Sequence, residues 1–310
     1  MLAFNQRVYI ADAVRSALSQ DCEPITVLLS DDASTDGTFE VIERTVAGYD
    51  GPHRVVLNRN PTNHGLAAHI NSAMNRIDTD IVVAAAGDDI SLPFRVSRIL
   101  ASFQNERALL VHSGAKLIDA DGQPVAPFTR DAQEGQRRLL DPQQAATNMS
   151  LHVGATAAWR KELFDRFGPI ADGCYEDLVL GFRASLERAA VCIDEPLVEY
   201  RLGVGMAQTD EWKLDRQAWI TNRKAQLKRQ DAVLKQRLAD VLRSSHPDRE
   251  GISRILRKAL RDNTLRRSAY EVSTFSHLLR NKGRLVTAFR CLLSEKGRQA
   301  KAARRRPASS

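Results

Sequence analysis

Two short apolar runs, each ending at a pair of adjacent aspartates, constrain the fold of this chain more than any other feature. The run ITVLL at 25–29 leads through Ser30 into DDASTDGT at 31–38, and IVVAAA at 81–86 leads into GDD at 87–89. Short apolar runs bounded by turn-forming residues are typical of buried parallel strands. Because ligands bind outside the carboxyl ends of strands in an open α/β sheet, both acidic pairs are expected to face one crevice.

Helical patterns separate these runs and predict that strands and helices alternate. Asn5 precedes apolar residues at helical spacing, so a helix capped by Asn5 is expected to reach about Gln20. Further predicted elements are a helix over 39–46, a strand over 53–57, a helix over 66–75 and a helix opened by Pro93. This order predicts βαβ units and an α/β fold with a Rossmann-like, open, twisted, mostly parallel sheet flanked by helices.

The second half of the chain is less regular. A strand near 109–112 is followed by turn-forming residues at 119–124, which predict a hairpin, and Asp141 with Pro142 predicts a helix start. Later predicted elements are a helix over 176–188, strands over 191–193 and 197–202, and one or two amphipathic helices within 211–243.

The charge of the chain is concentrated at one end. Of the 310 residues, 251–310 hold 16 Lys and Arg against three Asp and Glu, so the net charge of +7 comes from this segment. A basic tail can attract an anionic lipid surface or a nucleic acid, or it can be a solvated helical face. About the last 12 residues are predicted to be disordered.

Composition also bears on the cellular compartment. No segment approaches the roughly 18 consecutive apolar residues of a membrane helix, and no charged-then-apolar leader opens the chain. The four cysteines lack CxxC spacing, which argues against a zinc site or a disulfide framework. We therefore expect a cytoplasmic protein, either soluble or peripheral at the inner face of the cell membrane.

Several motifs recur here in the order found in a known enzyme family. They are FNQRVYIADAVRSALSQ at 4–20, VLLSDDASTDGT at 27–38, NHGLAAHINSA at 63–73, GDD at 87–89, LPFR at 92–95, GATAAWRKEL at 154–163 and YEDLVLGFRAS at 175–185. This composite resembles glycosyltransferase family 2. The resemblance implies a GT-A fold and inverting transfer of a sugar from a nucleotide-diphosphate donor.

The resemblance also suggests a division of the chain. It covers roughly residues 3–205, so a catalytic GT-A domain is expected over 1–205. An amphipathic helical extension is expected over 206–250, and a basic helical tail over 251–310 lies outside the resemblance. Bacterial surface polysaccharide or glycolipid assembly is the setting that the family implies.

Asp88 and Asp89 are the predicted metal-site residues. By resemblance, Asp89 binds Mn²⁺ or Mg²⁺ that bridges the diphosphate, while Asp88 holds the ribose hydroxyls. Carboxylate oxygens suit a hard divalent cation, which can neutralise a leaving diphosphate. The alternative is that this strand-end pair only caps the following helix.

Residues around the first aspartate pair form the predicted donor site. In the family, a carboxylate at Asp31 or Asp32 accepts a hydrogen bond from the nucleotide base, and Phe4, in an aromatic-Asn pair with Asn5, packs on the base. Phe keeps the stacking face of the Tyr found in many relatives but lacks its hydroxyl. Alternatively, the Asp and Ser residues simply build the loop.

The NPTNHG segment at 60–65 is a further donor-site candidate. Gly65 would permit close approach of the backbone to the donor, and Asn63 or His64 could reach the base. A plain turn is the alternative.

Asp177 is the predicted catalytic base. Inversion by direct displacement needs a carboxylate that takes the proton of the acceptor hydroxyl, and the resemblance places Asp177 in this role. Glu176 is a candidate contact for the acceptor or the diphosphate. Because acidic residues also stabilise a helix N-terminus, a purely structural role of the Glu176–Asp177 pair is the alternative.

The segment after the last predicted strand departs from the family pattern. Many relatives show YRxH, whose His completes the metal site, whereas this chain has Tyr200, Arg201, Leu202 and Gly203. A third protein ligand is therefore not expected. Arg201 could pair with the diphosphate or with Glu176, or be an ordinary sheet-edge arginine.

The beginning of the chain is a second departure, because only Met1, Leu2 and Ala3 precede Phe4 where relatives have a complete apolar strand. Loss of a central strand would leave neighbouring backbone groups unpaired, at about 1 to 3 kcal/mol each. We therefore expect in-frame coding sequence upstream to supply a short Val/Ile-rich run.

Two other functions remain open on the sequence. The chain could be a non-catalytic module that binds nucleotide sugars, or its basic tail could carry the function. Arg257, Lys258, Arg261, Arg266 and Arg267 could line a helix that meets nucleic-acid phosphates, although few aromatic residues are interleaved for stacking. We favour an anionic membrane, against which Ile255, Leu256 and Leu260 would lie. Such a surface would bring a saccharide or lipid-linked saccharide acceptor to the crevice.

Overall fold

The chain forms two compact units, residues 1–208 and 209–310. The computed structural model describes residues 1–104, 107–130, 141–205, 215–268, 270 and 293–298. The predicted disorder of the last residues lies outside these ranges, and the division at 205 and 250 stays a prediction.

The first unit alternates strands and helices in its N-terminal half, as predicted. Its elements are β1 (Leu2–Ala3), α1 (Ile10–Leu18), β2 (Thr26–Asp31), α2 (Thr38–Val46), β3 (Arg54–Arg59), α3 (Leu66–Met74), β4 (Ile81–Val83), β5 (Ile90–Ser91) and α4 (Arg95–Ser102). The later elements are β6 (Leu110–Ile118), β7 (Pro124–Arg130), α5 (Pro142–Ala145), a 3₁₀ turn (Gly154–Thr156), β8 (Ala157–Arg160), α6 (Lys161–Phe167), α7 (Glu176–Leu186) and β9 (Ala190–Arg201).

The strands form a parallel part and a mixed part. β1, β2 and β3 pair in parallel, whereas the second sheet has the order β4-β8-β6-β9-β5, with β7 paired to β6. In the second sheet only β6 and β9 run parallel; the other pairs are antiparallel. Leu2 joins the two parts, because its N–H donates to Ala85 O and its carbonyl accepts from Gly87 N, each at 3.1 Å. Both aspartate pairs follow strands in this joined region.

Apolar spacing explains why α1 packs on the parallel strands. Ile10, Val14 and Leu18 lie one helical turn apart on one face, and they are buried together with Leu29 of β2 and Ile42 of α2. Burial of such side chains stabilises a fold by about 1.5 to 3 kcal/mol each. This cluster fixes the helix beneath the loops that follow β1 and β2.

The structure corrects the predicted start of α1. Asn5 does not cap the helix; the helix begins at Ile10, and Asn5 has a positive φ of 51°. Its N–H donates to Ser34 Oγ at 2.8 Å, and its Oδ1 accepts from Thr35 N at 2.9 Å. Asn5 therefore binds the loop that follows β1 to the loop that follows β2.

The structure also corrects the two strands predicted at 191–193 and 197–202, which form the single strand β9. The pairing of β9 with β6 shifts between Ile193 and Pro196, so Asp194 and Glu195 bulge out of the ladder. Pro196 has no N–H for the ladder, which is a common reason for a bulge. The predicted hairpin at 119–124 and the helix start at Asp141, whose side chain accepts from Gln143 N, are confirmed.

Two helices dominate the described part of the second unit. α8 (Arg216–Arg243) packs against α9 (Arg249–Ser268), so a helix is present within the predicted 211–243, of which 211–214 lie outside the described residues. The buried apolar residues of these two helices include Leu227, Val233, Leu234, Val241, Ile252 and Leu256. No helix among the described residues is long and apolar enough to span a membrane.

Candidate active site

One cavity of about 1070 Å³ gathers most of the predicted site residues. Its lining includes Phe4, Asp32, Asn63, Gly65, Asp88, Asp89, Glu176 and Asp177. These residues come from the loops that follow β1, β2, β3 and β4 and from the start of α7. The structure therefore brings together the two acidic segments after β2 and β4, as the sequence predicts.

Asp88 and Asp89 are buried side chains at the centre of this cavity. The pKa of Asp88 is raised by burial, and the pKa of Asp89 is raised to about 7 by burial and then by the charge of Asp88. Arg95 and Arg201 lower the pKa of Asp89, but by less. The charge of Asp88 disfavours the ionisation of Asp89, and a cation bound at Asp89 would offset this repulsion.

Arg201 supports this acidic pair from the end of β9. Its backbone N–H donates to Asp89 Oδ1 at 2.9 Å, and its Nε donates to Asp88 O at 3.0 Å. Its Nη1 donates to Asp119 O and Ala120 O, each at 3.0 Å, and its guanidinium lies 4.7 Å from the centre of the Tyr9 ring. The Nε and Nη1 donors of Arg201 thus go to backbone carbonyls rather than to Glu176, and a contact of Arg201 with the diphosphate stays a prediction.

Gln6 and Gly205 also contact Asp88, and the sequence alone did not identify either. The Gln6 side chain hydrogen-bonds Asp88, which lowers the pKa of that carboxyl against the larger effect of burial. Gly205 has a φ of +79°, and a Cβ there would lie 2.6 Å from Asp88 Oδ2. The glycine is therefore needed both for its backbone conformation and for space.

The Asp88–Asp89 pair can supply part of a cation site. Within the described ranges, no group of three or more His, Cys, Asp and Glu side chains could hold a metal. Two carboxylates with hard oxygen ligands suit Mg²⁺ or Mn²⁺, which commonly keep waters and phosphate oxygens as further ligands. The donor set fits a divalent cation that is completed by a diphosphate rather than one enclosed by protein.

The Asp31–Asp32 pair divides into two roles. Asp31 is fully buried, and its carboxylate accepts from Ser34 N and Ser34 Oγ, as expected if it builds the loop. Asp32 lines the cavity and accepts from Asn60 Nδ2, His64 N and Gly65 N at 2.8, 3.0 and 2.9 Å. Asp32 therefore fastens the 63–65 segment, and of the two only Asp32 reaches the cavity.

A buried chain of polar side chains extends from Asp32 into the core. Asn60, which donates to Asp32, accepts from Asn58 Nδ2 at 3.1 Å. Asn58 also donates to Ser30 Oγ at 2.9 Å, and Ser30 Oγ lies 2.6 Å from His69 Nε2. Burial lowers the pKa of His69, which favours its neutral form. This network was not foreseen from the sequence, because its members lie on three separate elements.

Phe4 and the 63–65 segment form the outer part of the cavity. The Phe4 ring is 41% exposed, so it is available to a planar ligand. Asn63 Nδ2 donates to Asp32 O at 3.3 Å. Gly65 has a φ of +77°, and a Cβ there would have open space, so the residue is favoured by its conformation rather than by crowding.

Glu176 and Asp177 begin α7 and face the same cavity. The Glu176 carboxyl packs against the 3₁₀ turn, and a Cβ at Gly154 would overlap it. Burial and then the charge of Asp177 raise the pKa of Glu176 to about 8. Asp177 Oδ1 accepts from Leu178 N at 2.7 Å, which fixes one oxygen at the helix start.

Arg95 is a further residue to which the sequence assigned no role. It is 1% exposed and donates to Ala84 O and Ala155 O, both at 2.7 Å, and to Ser91 Oγ at 2.9 Å. It thus ties the segment after β4 to the 3₁₀ turn next to Glu176. The LPFR motif contained the signal for this buried role. An arginine that directly follows apolar residues at a helix start has few orientations in which its side chain faces solvent.

The fold and this site together define an α/β domain with an acidic cavity at the ends of its strands, and comparison with known proteins identifies its family. The model of glycosyl transferase family 2 matches residues 1–168, so the chain belongs to this family of glycosyltransferases.

Solved structures show the same fold. S. aureus TarS 1–349 in complex with UDP aligns with a TM-score of 0.61 at 14% identity, over 98% of this chain and 89% of that one. The mannosyltransferase PcManGT from Pyrobaculum calidifontis, in complex with GDP-Man and Mn²⁺, aligns with a TM-score of 0.52 at 17% identity, over 98% and 84%. The first unit therefore has the predicted GT-A fold.

Curated relatives agree with the family. EpsE of Bacillus subtilis (strain 168), named as a glycosyltransferase, is 32% identical over 120 residues, which are 38% of this chain and 42% of EpsE. The match thus spans less than half of EpsE. TuaG of the same strain, named as a teichuronic acid biosynthesis glycosyltransferase, is 24% identical over 223 residues, which are 71% of this chain and 84% of TuaG.

Proposed function

We propose that the first unit transfers a sugar from a nucleotide-diphosphate sugar to a hydroxyl acceptor with inversion. The observation that carries this proposal is the convergence of Asp32, Asp88, Asp89 and Asp177 on one cavity. The ligands of the structural neighbours, namely UDP and UDP-GlcNAc in TarS and GDP-Man in PcManGT, support a nucleotide-sugar donor.

The positions of the side chains support the donor roles that the resemblance suggests. Phe4 offers an exposed ring for the base, and Asp32 with Asn63 borders the same part of the cavity. Asp88 would hold the ribose hydroxyls, and Asp89 would hold Mn²⁺ or Mg²⁺. When bound, this cation neutralises charge that develops on the leaving diphosphate. We assign Asp31 to the loop and not to the donor, because its carboxylate is buried against Ser34.

Asp177 is proposed as the base. The acceptor oxygen attacks the anomeric carbon while the bond from that carbon to the diphosphate breaks, and Asp177 takes the hydroxyl proton. One Asp177 oxygen is fixed by Leu178 N, so the carboxylate keeps its orientation while it accepts a proton. Glu176 would stay protonated near neutral pH and could donate to an acceptor oxygen, since its pKa is raised to about 8.

The acceptor is proposed to be a saccharide or a lipid-linked saccharide in bacterial surface polysaccharide assembly. The name of TuaG, which includes teichuronic acid biosynthesis, supports this setting. A lipid-linked acceptor would place the protein as a peripheral protein at the inner face of the cell membrane.

Calorimetric binding of UDP, GDP and dTDP, each with Mn²⁺ and with EDTA, tests the donor site. We expect one nucleotide to bind in a metal-dependent manner and Asp89→Ala to lose this binding. Asp194→Ala, on the β9 bulge, is the matched control and should bind as the wild type does. If no nucleotide binds with metal, the donor site is refuted. Binding without any sugar transfer or donor hydrolysis would indicate the non-catalytic module.

A further inference from the structure

The outward side of α9 carries a row of basic residues. Between residues 252 and 263, the exposed residues are Arg254, Arg257, Lys258 and Arg261, and all four are basic. Their spacing of three, four and seven residues places them along one face of the helix, over about 10 Å of its length. We call these four residues the basic row.

The opposite side of α9 is occupied by packing within the unit. Leu256 is fully buried, and Asn263 Nδ2 donates to Leu227 O of α8 at 2.9 Å. The prediction that Leu256 lies against a membrane is therefore wrong, because its side chain is buried within the unit. Ile255 and Leu260, which the sequence also placed against the membrane, are half-buried, so the exposed side chains of α9 between residues 252 and 263 are the basic ones.

Of the seven acidic residues among the described part of this unit, three are buried, and Asp215 and Glu250 are exposed. Asp240 and Glu295 are fully buried, and Glu295 accepts from Arg223 Nη2 at 2.7 Å and from Tyr270 OH at 2.7 Å. Asp231 is buried as well, and Lys235 pairs with it. In the basic row, Lys258 pairs with Asp262 at 3.1 Å while keeping 71% of its side chain exposed. The positive charge of the row therefore faces solvent.

We propose that the basic row is a docking surface for an anionic lipid bilayer. A bilayer leaflet presents diffuse negative charge over a plane, so it needs neither a pocket nor a stacking platform. Nucleic acid fits less well, because among the described residues of this unit the exposed large apolar side chains are Leu242 and Leu293, neither of them aromatic. This proposal deepens the proposed function. Its biological setting, a lipid-linked acceptor at the membrane, rests on that function, whereas the binding of vesicles does not.

Vesicle sedimentation of the full chain tests the proposal without any nucleotide sugar. We expect binding to phosphatidylglycerol vesicles, little binding to phosphatidylcholine vesicles, and weakening by salt. The triple variant Arg254→Gln, Arg257→Gln, Arg261→Gln should bind roughly 100-fold more weakly, since each surface charge contributes about fivefold. The matched control Arg15→Gln, Arg44→Gln, Arg98→Gln removes three exposed charges from the first unit and should bind as the wild type does.

Three outcomes would overturn the proposal: no preference for anionic vesicles, equal losses in both triple variants, or tighter binding to an RNA or DNA duplex than to the vesicles. The nucleotide calorimetry described under the proposed function tests the donor site independently of the vesicle assay. Metal-dependent nucleotide binding with no vesicle binding would remove the docking surface alone, whereas vesicle binding without nucleotide binding would remove the donor site alone.

Discussion

The two units of this protein use charge in opposite ways. In the first unit, Asp32, Asp88, Asp89 and Asp177 point into one cavity, where backbone and arginine contacts hold them. In the described part of the second unit Asp231, Asp240 and Glu295 are buried, whereas the exposed residues of α9 between 252 and 263 are all basic. Buried carboxylates that face one cavity suit a small cation and a phosphorylated ligand. Exposed basic residues along a helix face suit an extended anionic surface. Substitutions made in one unit at a time therefore test the donor site of the first unit and the docking surface of the second.

The largest expected effect concerns the base in the cavity. Asp177→Asn should lower the rate of sugar transfer about 10³-fold, because a positioned general base contributes about 10²- to 10⁴-fold. Nucleotide affinity should stay within a few-fold, since the donor contacts lie elsewhere in the cavity. Transfer assays alongside calorimetry measure both quantities. Equal transfer by the variant and the wild type would contradict the assignment.

The interior of the second unit should respond to loss of apolar volume. Leu256→Ala, at a fully buried position, should lower the free energy of unfolding by about 2 to 5 kcal/mol. Leu242→Ala, at a position that is 58% exposed, serves as its control and should change little. Chemical denaturation followed by circular dichroism measures both. Similar stability of the two variants would mean that α8 and α9 do not pack as described.

A smaller effect, on nucleotide binding, is expected at Gly205, where the backbone lies close to Asp88. Gly205→Ala should weaken metal-dependent nucleotide binding about tenfold, or about 1.4 kcal/mol, because its Cβ would crowd the Asp88 carboxylate. Gly203→Ala is a close control: Gly203 has a φ of +77°, but its Cβ would meet no atom within 4 Å. Both substitutions carry the same backbone strain, so only their difference reports contact with Asp88. Calorimetry that finds equal losses would exclude this contact.

A further expected effect is a change in how stability depends on pH. The pKa of Glu176 is raised from 4.5 to about 8, so between these values the folded state binds more protons than the unfolded state. Stability therefore falls as pH rises through this range. Glu176→Gln should remove that loss and exceed the wild type above pH 8 by at least about 1.4 kcal/mol, the equivalent of one pKa unit. Thermal unfolding from pH 5 to pH 9 measures this; parallel curves would refute the raised pKa.

The sequence predicted the strands and helices of the parallel part of the fold better than the side chains that hold the acidic residues in place. Alternating apolar runs and helical spacing identified β2, β3, α2 and α3, because each element buries one regular face. The residues that line the cavity were found where acidic pairs end strands. Gln6, Arg95 and the role of Arg201 were missed, because their partners are backbone carbonyls or side chains distant in sequence. No periodicity reports such contacts.

The same limitation explains the error on α9. Its Leu256 and its basic residues gave an amphipathic pattern that fits either a membrane or a neighbouring helix. Only the packing of α8 decides between these two. A single helical pattern indicates that a face will be covered without indicating what covers it.

The contacts of Arg201 also set limits on how the protein can vary. Its guanidinium contacts carbonyl oxygens of Asp88, Asp119 and Ala120, and carbonyl oxygens are present whatever the side chain. Substitutions at Ala120 should therefore be tolerated. An insertion or deletion in the turn between β6 and β7 would instead displace two of these oxygens together. The length of the turn between β6 and β7 is thus coupled to the position of Asp88.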